Sequence, residues 1–191
     1  TFYDMNFENT VESIIDKTLK EGATACDVVL AASSGKSISC RKQKIEDIEE
    51  SSEKIIGVRA LINQKQAFVS SSQVDKENLD KLVSKCVSMA KQAPDDDTAV
   101  LGDSEFFETN ISDLDLFQKD ETDTQMLVDS VMECEDAALS VEGITNSEGA
   151  GASFSTGEFF LATSNGFRGG YKSSGNSISC SVLAGEGQSM E

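Results

Sequence analysis

"KIIGVRALINQKQAFVSSS", Lys54 to Ser72, is the stretch on which the fold turns. Ile56, Val58, Ala60 and Ile62 recur at every second position, the pattern of a strand with one buried face. "NQK" (Asn63–Lys65) is a short turn, and "QAFVSSS" (Gln66–Ser72) then returns antiparallel to the first run. Upstream, "CDVVLAA" (Cys26–Ala32) is the near-continuous apolar run of a buried strand. "SSGK" (Ser33–Lys36) reads as a turn, and "SISCRK" and "KIEDIEE" alternate like half-exposed strands. Short strands with tight turns make an antiparallel meander.

Helices frame this meander. Phe7, Val11, Ile14, Ile15, Thr18 and Leu19 recur at helical spacing, and Gly22 stops that helix. A second helix opens at Asp75, a good N-cap, carries Leu79, Leu82, Val83, Cys86, Met89 and Ala90 on its apolar stripe, and ends at Pro94. A third runs from about Asp123 to Ser140, with Thr122 and Gln125 as a capping box, Leu127, Val131, Cys134 and Ala138 facing the core, and Gly143 as its stop. Strand signals then resume in "ASFST", "EFFLATS", "FRGGYKS" and "SISCSVL". Asn-Gly chemistry at "NSEG" (Asn146–Gly149) and "TSNG" (Thr163–Gly166) predicts hairpin turns within a second sheet. In "SISCSVL", Ile178, Cys180 and Val182 alternate with Ser177, Ser179 and Ser181, which predicts one buried face and one paved with hydroxyls.

The fold class expected is therefore α+β: two helix-plus-antiparallel-sheet units joined by an acidic spacer. Residues 1–94 form the first, 95–121 the linker, and 122–191 the second, incomplete at its C-terminus. The linker is set by charge, with eleven acids between Asp95 and Asp123 against the single Lys119.

Composition narrows the chemistry. A net charge of −18, from 34 acidic and 16 basic side chains, argues against direct contact with nucleic acid or an anionic membrane. No segment has the apolar length of a membrane span, and the start lacks the pattern of a signal peptide. Five dispersed cysteines without a C-x-x-C pair fit a reducing, cytoplasmic compartment. The chain contains no histidine, which removes the usual general base and metal ligand, so no catalytic and no metal-binding residue is assigned. No serine stands in a G-x-S-x-G elbow, and "GFRGG" and "GEGQ" do not join a strand to a helix as a phosphate cradle would. Arg59 and Arg168 interrupt strand-like segments, where a half-buried arginine usually serves an ion pair.

Four stretches in order carry a resemblance: "IEESSEKIIGVRALINQKQAFVSSS" (Ile48–Ser72), "SDLDLF" (Ser112–Phe117), "ITNSEG" (Ile144–Gly149) and "SISCSVLAGEGQSM" (Ser177–Met190). Together they resemble the amino-terminal region of the PmbA/TldD family, formerly called modulators of DNA gyrase, and are closer to its PmbA branch. The likeness runs from about Glu21 to the end. It implies the front part of a longer, metallopeptidase-related protein, which is non-catalytic in this region and shapes a path for a flexible peptide substrate. The implied partner is a TldD-like metal-bearing subunit, or a second copy in a homodimer. The zinc or other divalent metal belongs to that metal-bearing partner, and this region carries no cofactor. On this reading the hydroxyl-rich sheet face receives an extended peptide, with Asn146, Ser147, Glu148, Asn165 and Arg168 as substrate-binding residues. The alternative is an acidic interaction module, a nucleic-acid mimic docking on a basic partner such as a gyrase-related protein.

Overall fold

β2 (Lys44–Ile62) and β3 (Lys65–Ser71) form the expected hairpin, in register from Ile56 opposite Ser71 to Ile62 opposite Lys65. Asn63 in their two-residue turn takes a positive φ of 55°, which Asn tolerates better than most residues. Phe68 lies across Gly57, where a Cβ would come within 2.7 Å of the ring, so the glycine gives the aromatic its seat. The structure, a computed structural model, describes residues 7–108, 112–118 and 123–185.

In chain order the elements are α1 (Phe7–Lys20), β1 (Ala25–Arg41), β2, β3, α2 (Lys76–Gln92), a 3₁₀ turn at Ser104–Phe106, α3 (Thr124–Leu139), β4 (Ile144–Thr163) and β5 (Arg168–Ala184). The strands make one five-stranded antiparallel sheet, ordered β3-β2-β1-β4-β5. On β1 and β4 the facing residue numbers run in opposite senses: Cys26 bonds Ser164, Gly35 lies by Phe154, and Cys40 by Gly149. The α+β class expected from the sequence is the one observed.

Several local expectations are corrected. "SSGK" lies inside β1 and "NSEG" inside β4, so neither is a turn, whereas "TSNG" does lead from β4 into β5. The later strands extend the first sheet instead of forming a second. The buried positions Ser147, Ala150 and Ala152 are spaced three and then two apart, the mark of one extra residue in the strand. Gly149 supplies the kink with φ +121°. Its turn-like composition is thus used for a β-bulge.

Two compact units emerge: Thr1–Ala32, Glu53–Leu114 and Glu158–Lys172 in one, and Ser33–Ser52, Asp115–Gly157 and Ser173–Glu191 in the other. In the first, Val11, Ile14 and Ile15 of α1 and Leu82, Val83, Cys86, Val87 and Ala90 of α2 join Cys26, Val28 and Leu30 of β1 and Ile56, Val58 and Ala60 of β2 in one core. Met89 and Leu19, read as stripe residues, are instead exposed at 45% and 36%, while Val87 is buried. Asp75 caps α2 by accepting from Asn78 N at 3.1 Å, and Ala93, before Pro94, leaves the helical conformation. Arg59 donates from Nε to Asp27 at 2.7 Å and reaches Gln66, whose amide donates to Asp96 at 2.8 Å. This is the ion pair that a half-buried arginine in an acidic protein calls for.

In the second unit α3 lays Leu127 and Val131 on Ile38, Cys40, Ala150 and Ala152. The cap of α3 is Asp123, which accepts from Met126 N at 2.8 Å, and Thr122 lies outside the described residues. The third fully buried position on α3 is Glu135, with Cys134 only half-buried. β5 is an edge strand, so Ile178 stays 53% exposed where alternation predicted burial.

Candidate functional site

The second unit is organised by Glu135. Its carboxylate has no exposed surface and accepts from the backbone N–H groups of Lys42 at 2.8 Å and Gln43 at 2.7 Å. It also accepts from the Ser147 hydroxyl and, more weakly, from the Cys40 thiol at 3.7 Å. Lys42 and Gln43 form the β1–β2 turn with φ of 51° and 57°, the paired positive values of a type I′ turn normally filled by Asn and Gly. A charge-assisted pair of hydrogen bonds offsets the strain of placing two long side chains there. The same Ser147 hydroxyl accepts from Gly149 N at 2.9 Å, so one carboxylate fixes both the turn and the bulge. Burial by itself pushes the Glu135 carboxyl up. The Ser147 hydroxyl, the Gln43 and Lys42 N–H groups and the Cys40 thiol outweigh it and hold the carboxyl below its ordinary value.

On the opposite face of these strands lies a shallow recess of about 340 Å³. Ser37 and Ser39 of β1, Gly151 and Ser153 of β4, and Ser177 and Ser179 of β5 line it, with Asp47 and Glu49 of β2 at one side. It presents hydroxyls that both donate and accept, beside two exposed carboxylates. Its origin is a repeat that turn-and-period reading passes over: "SSGKSISC" (Ser33–Cys40) recurs as "SSGNSISC" (Ser173–Cys180). The two copies flank β4, and Gly35 and Gly175 both approach Ser155. Self-comparison of the sequence is the signal that finds these serines.

The five residues singled out in the sequence divide between the ends of β4. Near its start, Ser147 is buried on the Glu135 side, Glu148 is exposed and Asn146 half-exposed. Past its end, Asn165 accepts from the Thr163 hydroxyl at 2.6 Å and donates to Gly102 O at 2.9 Å. Arg168 donates to Thr163 O, Phe167 O and Glu12 at 2.6–2.9 Å, holding the β4–β5 turn to α1. The structure brings Asn146, Ser147 and Glu148 together within the second unit, and Asn165 and Arg168 within the first.

Among the described residues no group of three or more His, Cys, Asp or Glu side chains is arranged to hold a metal ion, so the residues present do not fit one. No helix among them is long and apolar enough to cross a membrane.

Comparison with known proteins accords with this geometry. Residues 26–90 match the family model described as PmbA/TldA metallopeptidase domain 1, and residues 118–191 match the PmbA/TldA metallopeptidase central domain. The chain is 29% identical to the metalloprotease PmbA homolog of Haemophilus influenzae over 98% of its own length and 42% of the relative's. It is 27% identical to metalloprotease PmbA of Escherichia coli O157:H7 over 86% of its length and 37% of the relative's. It therefore spans about two-fifths of these curated relatives, whose names imply a metal. Among solved structures, a candidate modulator of DNA gyrase from Bacteroides thetaiotaomicron superposes with a TM-score of 0.85 at 23% identity, over all of this chain and 44% of that one. TldE from Thermococcus kodakarensis gives 0.78 at 14% identity, over 95% of this chain and 40% of that one. With both domain models matched in order and the relatives aligned along nearly its whole length, the chain belongs to the PmbA/TldD family.

Proposed function

We propose that this chain is the non-catalytic front region of a PmbA-type subunit in a cytoplasmic metallopeptidase complex, where it shapes the path of a flexible peptide and supports subunit association. The metal, zinc or another divalent ion, is supplied by a TldD-like partner, with a homodimer as the other arrangement. The observation that carries the reading is the serine-paved sheet face, whose hydroxyls suit an extended backbone of varied sequence. Of the five residues singled out, Asn146 and Glu148 meet the peptide and Ser147 holds the strand that carries them, while Asn165 and Arg168 hold the β4–β5 turn within the first unit.

The test uses the full-length subunit with its metal-bearing partner. Asn146→Ala with Glu148→Ala is expected to slow peptide cleavage by about tenfold, as for the loss of one or two hydrogen bonds, with an unchanged melting temperature. Ser147→Ala is expected to do the reverse, costing about 1–2 kcal/mol of stability because it strips a donor from a buried carboxylate. Unchanged cleavage in the double variant removes the peptide-path reading.

The run Glu46–Glu53 of β2, exposed throughout and beyond the register with β3, favours a second reading as an acidic docking strip. Association through it weakens steeply with salt, whereas a packed subunit interface does not.

A further inference from the structure

Each copy of the repeat ends in a cysteine, Cys40 on β1 and Cys180 on β5, and consecutive residues of α3 engage them. The Cys40 thiol donates to Glu135 at 3.7 Å, and Cys134 stands near enough to Cys180 to push its thiol up. The register of α3 on β5 gives the same pairing independently. Met126 and Ser130 line a shallow groove together with Ile178. One turn along the helix, from Ser130 to Cys134, advances about 6 Å. Two residues along the strand, from Ile178 to Cys180, advance about 7 Å. Cys134 therefore arrives over Cys180, on the helix face that also carries Leu127 and Val131, against which Cys180 packs. Both residues are half-buried, free cysteines.

We propose that Cys134 and Cys180 form a reversible, peroxide-driven disulfide that staples α3 to the edge strand β5. One thiolate attacks the peroxide O–O bond, giving a sulfenic acid and releasing the other oxygen as water. The second thiolate then displaces the sulfenic hydroxyl, which leaves as water, so two thiols lose two electrons and peroxide gains them. The pairing is specific. Cys40 stands on the far side of β4, about 9–10 Å from Cys180 at the spacing of two strands, beyond the reach of a disulfide. Cys40 is also fully buried and committed to Glu135 and Val131 O. Cys26 and Cys86 are buried in the other unit. Burial and the neighbouring Cys134 push the Cys180 thiol up, so closure accelerates as pH rises and more thiolate is present.

The experiment treats the folded chain with hydrogen peroxide, quenches it, and maps the peptides without reduction. The expected product is one linkage joining the peptide with Cys134 to the peptide with Cys180, a mass lower by about 2 Da, and a melting temperature several degrees higher that returns with dithiothreitol. Cys134→Ser and Cys180→Ser should each abolish the linkage and the shift. If either variant fails to fold, alkylation of the untreated chain before oxidation serves as the block. Separate sulfinic acids on the two cysteines, a linkage through Cys40, or five free thiols after treatment each overturn the proposal.

Discussion

Glu135→Ala lowers the stability of the chain by about 3–5 kcal/mol, the cost of removing a buried charge and leaving its donors without an acceptor. Five donors lose this acceptor together: Lys42 N, Gln43 N and Nε2, the Ser147 hydroxyl and the Cys40 thiol. The effect should spread, because the carboxylate holds a type I′ turn made of residues that resist it and a bulge on the adjacent strand β4. For a chain of this size the melting temperature falls by about 10 °C, as calorimetry would record. Glu133→Ala, an exposed acid on the same helix, is the control and should change nothing measurable.

The pH dependence has a defined sign. The folded-state value of Glu135 lies below its ordinary 4.5 because the hydrogen bonds from Ser147, Gln43 and Lys42 outweigh the upward push of burial. The unfolded chain therefore binds this proton more readily. The contribution of Glu135 is fully present above pH 4.5 and is lost as the pH falls through the folded-state value. Melting temperatures of the wild type and Glu135→Gln, measured side by side from neutral pH downward, should converge in acid. Parallel curves would mean that the carboxylate is not held as described.

What the sequence revealed and what it hid divide along the range of the forces involved. α1, α2, α3 and the β2–β3 hairpin were legible because their signals are local: apolar period, the Asp75 cap, Pro94 and the Asn63 turn. The long strands were broken into pieces because Ser and Gly at 33–36 and 146–149 are turn formers in isolation. Gly35 instead lets β1 lie against Phe154 O, and Gly149 makes the bulge beside Cys40 O. The Lys42–Gln43 turn carries no turn residues because its stabilising group is Glu135, more than ninety positions later. Glu135 in turn reads as a solvent-facing acid, since nothing local shows that two backbone donors will meet it. The serine face was visible on β5 through alternation, but its partner on β1 required noticing the repeated octet. The burial expected of Ile178 failed because alternation reports a face and not whether the strand lies at an edge.

Gly170→Ala is expected to be as damaging as the loss of Glu135, by a different route. A Cβ at Gly170 would lie 2.3 Å from Phe159 O and 3.1 Å from Phe160 Cα, and both are backbone atoms of the neighbouring strand. A side chain could rotate away, but here β4 and β5 must part, so the cost is about 3 kcal/mol or more. The Phe159–Tyr171 ring pair, with centroids 5.6 Å apart, would open with them and report the change in the near-ultraviolet dichroism. A wild-type melting temperature for Gly170→Ala would mean that the two strands do not approach as closely as described. Gly151, on the neighbouring strand β4, supplies the contrast. Its nearest neighbours would be Ile38 O at 3.8 Å and Ser179 Oγ at 3.9 Å, ordinary contacts, so Gly151→Ala should be neutral or stabilising by about 0.5 kcal/mol. That methyl enters the serine-paved recess without disturbing the sheet beneath it. Slower peptide cleavage by the full complex carrying Gly151→Ala, at undiminished stability, would locate the peptide on this face. Unchanged cleavage would place the peptide elsewhere and leave the face to subunit association.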